Sequence, residues 1–101
     1  MRSFQQLELD IIRWAEARRI IPNATPTSQL LKAVSEMGEL ADAEGKQDLP
    51  AIKDAIGDVM VCLINYCALR DISITHCLEL AYDEIKDRRG TLMPDGTFVK
   101  Q

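Results

Sequence analysis

The stretch "DAIGDVMVCLINY" (residues 54–66) runs from an acidic start straight into the most apolar segment of the chain. Asp58 stands at the mouth of a run that reads Val59, Met60, Val61, Cys62, Leu63 and Ile64. Burying an ionised carboxylate without a partner is costly, so Asp58 needs a solvent cleft, a cation or a metal. The second half of the segment is apolar nearly all round apart from Asn65, the pattern of a central, buried helix. Asp48 is placed to cap that helix, Pro50 is tolerated in its first turn, and the helix is predicted to continue to about Leu69.

Upstream, the short turn "GKQDLP" separates this helix from a second, predicted from about Ser28 to Glu44 with Gly45 as its stop. The second helix carries Leu30, Leu31, Val34, Met37, Leu40 and Ala41, with Thr27 or Ser28 available as its cap. A first helix is expected over residues 4 to 20, where Phe4, Leu7, Ile11, Trp14 and Ala15 recur at helical steps and Pro22 and Asn23 close it. Downstream, Ser73 should cap a fourth helix that stops at Gly90. The tail "TLMPDGTFVK" holds an Asp95-Gly96 turn between short apolar pieces, which predicts a small hairpin or ordered flap. Four helices with short connections imply a single all-α domain over residues 1–101.

The 101 residues suffice for one small core. Hydrophobic residues make up 47% and charged residues 28%, an ordinary globular balance. A net charge of -4 argues against the broad basic surface that nucleic-acid binding uses, so any anionic ligand needs a local basic cluster or a bridging metal. No apolar run reaches the roughly 20 residues that span a bilayer, and "MRSFQQLELD" has no signal-peptide core, so a cytoplasmic protein without membrane contact is expected. Cys62, Cys67 and Cys77 lie in apolar segments without metal-ligand spacing and read as reduced core residues.

Glu36 and Glu39 stand at i, i+3 on the second helix, and Asp54 and Asp58 at i, i+4 on the third. If the two helices pair antiparallel across "GKQDLP", these acidic faces meet near the turn-proximal half of the pair. Like charges at that range repel unless a cation lies between them. Hard oxygen donors without histidine or cysteine suit Mg²⁺ or Mn²⁺, and a magnesium ion so held engages phosphorylated ligands. The alternative is a solvated acidic helix face. Gly38 and Gly57 lie mid-helix beside the acids and either permit close approach or are simply tolerated.

"SEMGELAD", "KDAIGDVMVCLINY", "AYDEIKDRRG" and the terminal "DGTFVK" together resemble the MazG-like nucleotide pyrophosphohydrolases of the all-α NTP pyrophosphatase superfamily, in particular its short single-domain phage and bacterial forms. The resemblance runs from Gln29 to Lys100 and implies a four-helix bundle completed by a homodimer or homotetramer. It implies Mg²⁺-dependent cleavage of a nucleoside triphosphate between the α- and β-phosphates, giving the monophosphate and pyrophosphate. In that family one helix carries a Glu-x-x-Glu pair and the next a Glu-x-x-Asp pair. Glu36 and Glu39 match the first, Asp58 matches the closing Asp of the second, and Ala55 stands where the second Glu is expected. Asp54, on the same helical face as Asp58, is a stand-in.

Glu36, Glu39 and Asp58 are therefore the candidate catalytic residues, joined by Asp54 and Asp83 as metal ligands. Asp83, Lys86 and Arg89 recur at three-residue steps on the fourth helix, where Lys86 and Arg89 would steady the departing pyrophosphate. Lys32, one turn before Glu36, is a further phosphate contact or a surface ion-pair member. Trp14 either stacks on a nucleobase or packs in the core. His76, the only histidine, is expected at the surface without a chemical role. A non-catalytic helical oligomer that binds nucleotides or a partner, with Ala55 marking lost activity, is the rival reading.

Overall fold

The computed structural model describes residues 1–101. In chain order it contains α1 (Phe4–Ala17), the single turn α2 (Ile20–Asn23), α3 (Pro26–Gly45), α4 (Leu49–Leu69), α5 (Ile74–Ile85), β1 (Gly90–Leu92) and β2 (Phe98–Lys100). Each longer helix starts where a side chain satisfies an otherwise unpaired amide. Ser3 accepts from Gln6, Thr25 from Ser28, Asp48 from Ala51 and Ser73 from His76. The caps at Asp48 and Ser73 are the predicted ones. The second long helix is capped instead by Thr25, because Pro26 fits its first turn and extends it past the expected Thr27 or Ser28.

The first predicted helix divides in two. α1 ends at Ala17, Arg19 turns left-handed at φ 61°, and Ile21 is extended at ψ 124° before Pro22. A residue preceding proline is driven out of the α region, so Pro22 ends helical geometry earlier than its own position suggests. The chain thus has five helical pieces instead of four. At the other end α5 stops at Ile85, short of Gly90, and Lys86 is its cap.

α3 and α4 form an antiparallel hairpin, joined by a short turn at Lys46–Asp48, and their pairing is the most extensive in the molecule. α4 supplies six of the eleven buried residues, as its apolar sequence demands: Ala55, Val59, Cys62, Ile64, Asn65 and Cys67. Ile64, Cys67 and Ile74 make the core cluster, with Ile11, Ile12, Met60, Leu63 and Tyr66 packed against it. The core therefore sits at the C-terminal half of α4, where α1 crosses and α5 begins. Cys62 and Cys67 are buried as expected, but Cys77 is exposed because α5 rises away from the core after its first turn.

The tail forms the predicted hairpin, with β1 and β2 antiparallel in the register Gly90↔Lys100, Thr91↔Val99 and Leu92↔Phe98. Gly96 takes φ +90° at its tip, and the Asp95 carboxylate accepts from the Thr97 amide at 2.9 Å, which holds its carboxyl below the usual range. Gly90 fits against the Phe98 ring: a Cβ there would lie 2.7 Å from ring carbons and press on the Val99 carbonyl. At Gly38 and Gly57 a Cβ would meet nothing within 4 Å, so no close approach within the chain requires either glycine.

Much apolar surface stays uncovered. Leu30, Leu31, Val34 and Met37 of α3, and Leu78, Leu80, Tyr82 and Ile85 of α5, are all exposed. The radius of gyration is 16.1 Å, against about 13 Å for a compact domain of this length. The accessible surface is 7768 Å², roughly 2,000 Å² more than a compact monomer of this mass presents.

Ile64, 3% exposed at the centre of the cluster, is the most sensitive apolar position. Ile64→Ala should lower unfolding free energy by about 2–4 kcal/mol, and Leu31→Ala by less than about 0.5 kcal/mol in the isolated chain, as urea titration followed by circular dichroism will measure.

Candidate functional site

On α3 the residues Gln29, Ala33, Glu36, Leu40 and Ala43 recur at three- and four-residue steps and are the less exposed face. Small side chains at Ala33, Ala43 and Ala55, all buried, let α3 approach α4 closely. Glu36 rides on that face, so its half-buried carboxyl is carried into the seam between the two helices. Its Oε2 is shut off from solvent and has no hydrogen-bond partner.

Electrostatics agree with this placement. The Glu36 carboxyl titrates above the ordinary carboxylate range. The main cause is the Glu39 carboxyl, near enough to share a hydrogen bond once one of the two is protonated; desolvation and the negative charges of Glu39 and Asp58 add to it. Lys32, one turn earlier on α3, acts in the opposite direction. The hairpin thus brings together Glu36 and Glu39 from α3 and Asp58 from α4, with Lys32 beside them.

Cys62 is a neighbour that its apolar setting concealed. Burial pushes its thiol up, and the charges of Lys32, Glu36 and Asp58 all reach it. Its spacing of four residues from Asp58 on α4 was the available signal. The thiol stays protonated at the base of the acidic seam and leaves the hard oxygens as the donors.

Other candidates lie elsewhere. Asp54 is exposed one turn before Asp58, and is not among the charges acting on Glu36. Ala55 is buried at 5% exposure, so the position where the resemblance expects Glu faces the interior and holds only a methyl group. Asp83 and Lys86 pair with each other at 3.3 Å on α5, which makes no contact with α3. Arg89 lies beyond the end of α5, so the helical spacing that linked it to Asp83 and Lys86 does not apply. Trp14 is 43% exposed and so is no core residue; the Arg18 guanidinium lies 4.7 Å from its ring centroid. His76 is exposed, as expected.

The oxygen donors of Glu36, Glu39 and Asp58 are of the type Mg²⁺ and Mn²⁺ prefer, and Glu36 Oε2 is free to take a ligand. The side chains as they stand are not drawn into a finished ligand set, since no three His, Cys, Asp or Glu residues are grouped to hold a metal ion. Mutual repulsion is met instead by the raised proton affinity of Glu36. A cavity of about 810 Å³ lies at the other end of α4, lined by Glu8, Leu9, Ile12, Glu16, Ala68 and Asp71 among others. It offers carboxylates without a lysine or arginine, which does not suit a triphosphate.

Because its folded-state pKa is raised, Glu36 favours folding below its unfolded pKa, and that contribution is lost as pH rises through the folded value. Without metal, Glu36→Gln should therefore raise the melting temperature at pH 7 and lose that advantage toward pH 4. Added Mg²⁺ should stabilise the wild type more than this variant, as thermal melts across pH with and without Mg²⁺ will measure.

Comparison with known proteins places these residues in a family context. The family described as MazG nucleotide pyrophosphohydrolase domain matches residues 24–92, which include α3, α4, α5 and the first hairpin strand. An uncharacterized 18.2 kDa protein in the rep-hol intergenic region of Haemophilus phage HP1 is 39% identical over 64 residues. That alignment covers 63% of this chain and 39% of the phage protein, so the chain spans well under half the length of that relative. No solved structure matches the chain significantly. No helix is long and apolar enough to cross a membrane.

Proposed function

The chain belongs to the MazG nucleotide pyrophosphohydrolase domain family, and from that premise we propose that it hydrolyses a nucleoside triphosphate between the α- and β-phosphates in a Mg²⁺-dependent reaction. One observation carries the reading: Oε2 of Glu36 is buried and unpartnered in a seam it shares with Glu39 and Asp58. A carboxylate oxygen withheld from water beside two like charges is stabilised by a divalent cation.

Glu36, Glu39 and Asp58 hold the metal, with Asp54 within one helical turn as a further ligand directly or through water. Magnesium, or manganese in its place, supplies charge neutralisation on the triphosphate. Lys32 orients the phosphate chain from its place beside Glu36. One of the carboxylates takes the proton of the attacking water as its oxygen bonds to the α-phosphorus. The bond to the bridging oxygen then breaks, and pyrophosphate departs with the electron pair. Trp14, partly exposed beneath Arg18 on α1, would stack on the base.

Asp83, Lys86 and Arg89 would add a metal ligand and phosphate contacts, but α5 does not reach α3 within one chain. A homodimer or homotetramer brings α5 of a second copy toward the α3–α4 seam. The uncovered apolar residues on α3 and α5 support such an assembly, and the surface excess of roughly 2,000 Å² per chain falls in the range obligate interfaces bury. Buried Ala55 favours a second reading, a nucleotide-binding oligomer without turnover, because the seam has one carboxylate fewer than the family pattern.

With Mg²⁺ and a panel of nucleoside triphosphates, the purified chain should release pyrophosphate and monophosphate, and excess EDTA should stop it. Glu39→Gln should lower kcat by about 100-fold or more with the helical circular dichroism spectrum unchanged. Binding of a non-hydrolysable triphosphate by calorimetry, without turnover of any triphosphate, would select the second reading. Leu31→Glu with Val34→Glu should reduce the sedimenting species to monomer.

A further inference from the structure

α5 is attached to the rest of the chain almost entirely by its first turn. Ile74 is its one buried residue, and from Cys77 onward the helix is exposed. Its contacts are with α1 and α4 alone. At that first turn Glu8 of α1 enters with a carboxylate only 8% exposed. Its Oε2 accepts from the Ile74 amide at 3.0 Å and from Ser73 Oγ at 3.1 Å, and its Oε1 accepts from Thr75 Oγ1 at 2.9 Å. No lysine or arginine pairs with it.

Ser73, the N-cap, accepts from the His76 amide, and Glu8 satisfies a second unpaired amide of the same turn, that of Ile74. What Glu8 adds is a grip across more than sixty residues of sequence. Its two oxygens take donors from three consecutive residues, fixing both the tilt and the rotation of the helix start. The positive end of the α5 dipole favours the carboxylate there. Glu8 shares a helical stripe with Ile12 and Ala15, so it is a charge deliberately placed on the buried face of α1.

Leverage gives the grip a consequence. Asp83 lies about 14 Å along the helix from Ile74 at 1.5 Å per residue. A swing of about 5° at the first turn would move Asp83 and Lys86 by about 1 Å, a displacement that can cost a reaction about 100-fold. We propose that Glu8 is a positioning residue: its carboxylate sets the direction in which α5 leaves the bundle, and thereby the placement of Asp83 and Lys86 for phosphate and metal contact. The grip stands on the hydrogen bonds alone, while its use in turnover rests on the hydrolase reading above.

Glu8→Ala and Glu8→Gln in the full chain, compared by hydrogen exchange and by steady-state hydrolysis with Mg²⁺, test the proposal. In Glu8→Ala the amides from Cys77 to Ile85 should exchange about 10-fold faster or more. Its kcat should fall about 10-fold or more with KM within about 3-fold, while the oligomeric state and helical content are retained. Glu8→Gln, whose amide oxygen still accepts from Ile74, should recover much of the loss. It also carries the test where Glu8→Ala does not fold.

Wild-type exchange in α5 of Glu8→Ala would overturn the grip. Faster exchange with unchanged kcat would overturn its use. A Glu8→Gln chain no better than Glu8→Ala would assign the effect to lost charge, and overturn positioning by the hydrogen bonds. If the wild type releases no pyrophosphate, the hydrolase reading falls by itself, and α5 exchange still decides whether Glu8 holds the helix.

Discussion

Two opposed forces act along the seam of the α3–α4 hairpin, and the rest of the molecule is arranged around them. Apolar burial on α4 and the small side chains of Ala33, Ala43 and Ala55 draw the helices together. The same approach brings the charges of Glu39 and Asp58 to bear on Glu36, and like charges repel. The hairpin holds because packing that includes Val59 and Cys62 runs along a long contact, whereas the repulsion is local and raises the proton affinity of Glu36. The acidic character of the seam is thereby a product of helix packing and not an addition to it.

This explains the division of labour along α4. Asp58 near its middle and Cys62 one turn later meet the charges of Glu36 and Lys32, and its last turns carry Ile64 and Cys67, which form the core cluster with Ile74 of α5. The core cluster lies toward one end, while small buried residues such as Ala43 and Ala55 line the end nearer the turn. The cost appears in the small number of buried residues and in the apolar stripes left on α3 and α5.

Much of this was legible from residues alone. The apolar run after Asp58 identified the central helix, Asp48 and Ser73 identified their caps, and Asp95-Gly96 identified the hairpin. Helical spacing and one short turn put Glu39 and Asp58 within electrostatic reach of Glu36, because both are local properties. Long-range effects were hidden. Periodicity drew Trp14 and Cys77 toward the core, yet which apolar stripe is covered depends on where α1 and α5 cross, and both residues are exposed. The three-residue rhythm of Asp83, Lys86 and Arg89 continued past the physical end of α5. Glu8 carries no local signal, because a carboxylate among apolar residues looks like a surface position and its amide partner is far along the chain.

The hairpin at the end of the chain differs from the helices in its tolerance of inherited change. Every missense change in a glycine codon adds a Cβ, and at Gly90 that atom has nowhere to go between Phe98 and the Val99 carbonyl. Gly38 and Gly57 face open space and can drift freely in the lone chain. A side chain at Gly90 should therefore disturb the first rung of the hairpin while leaving the helical core around Ile64 untouched.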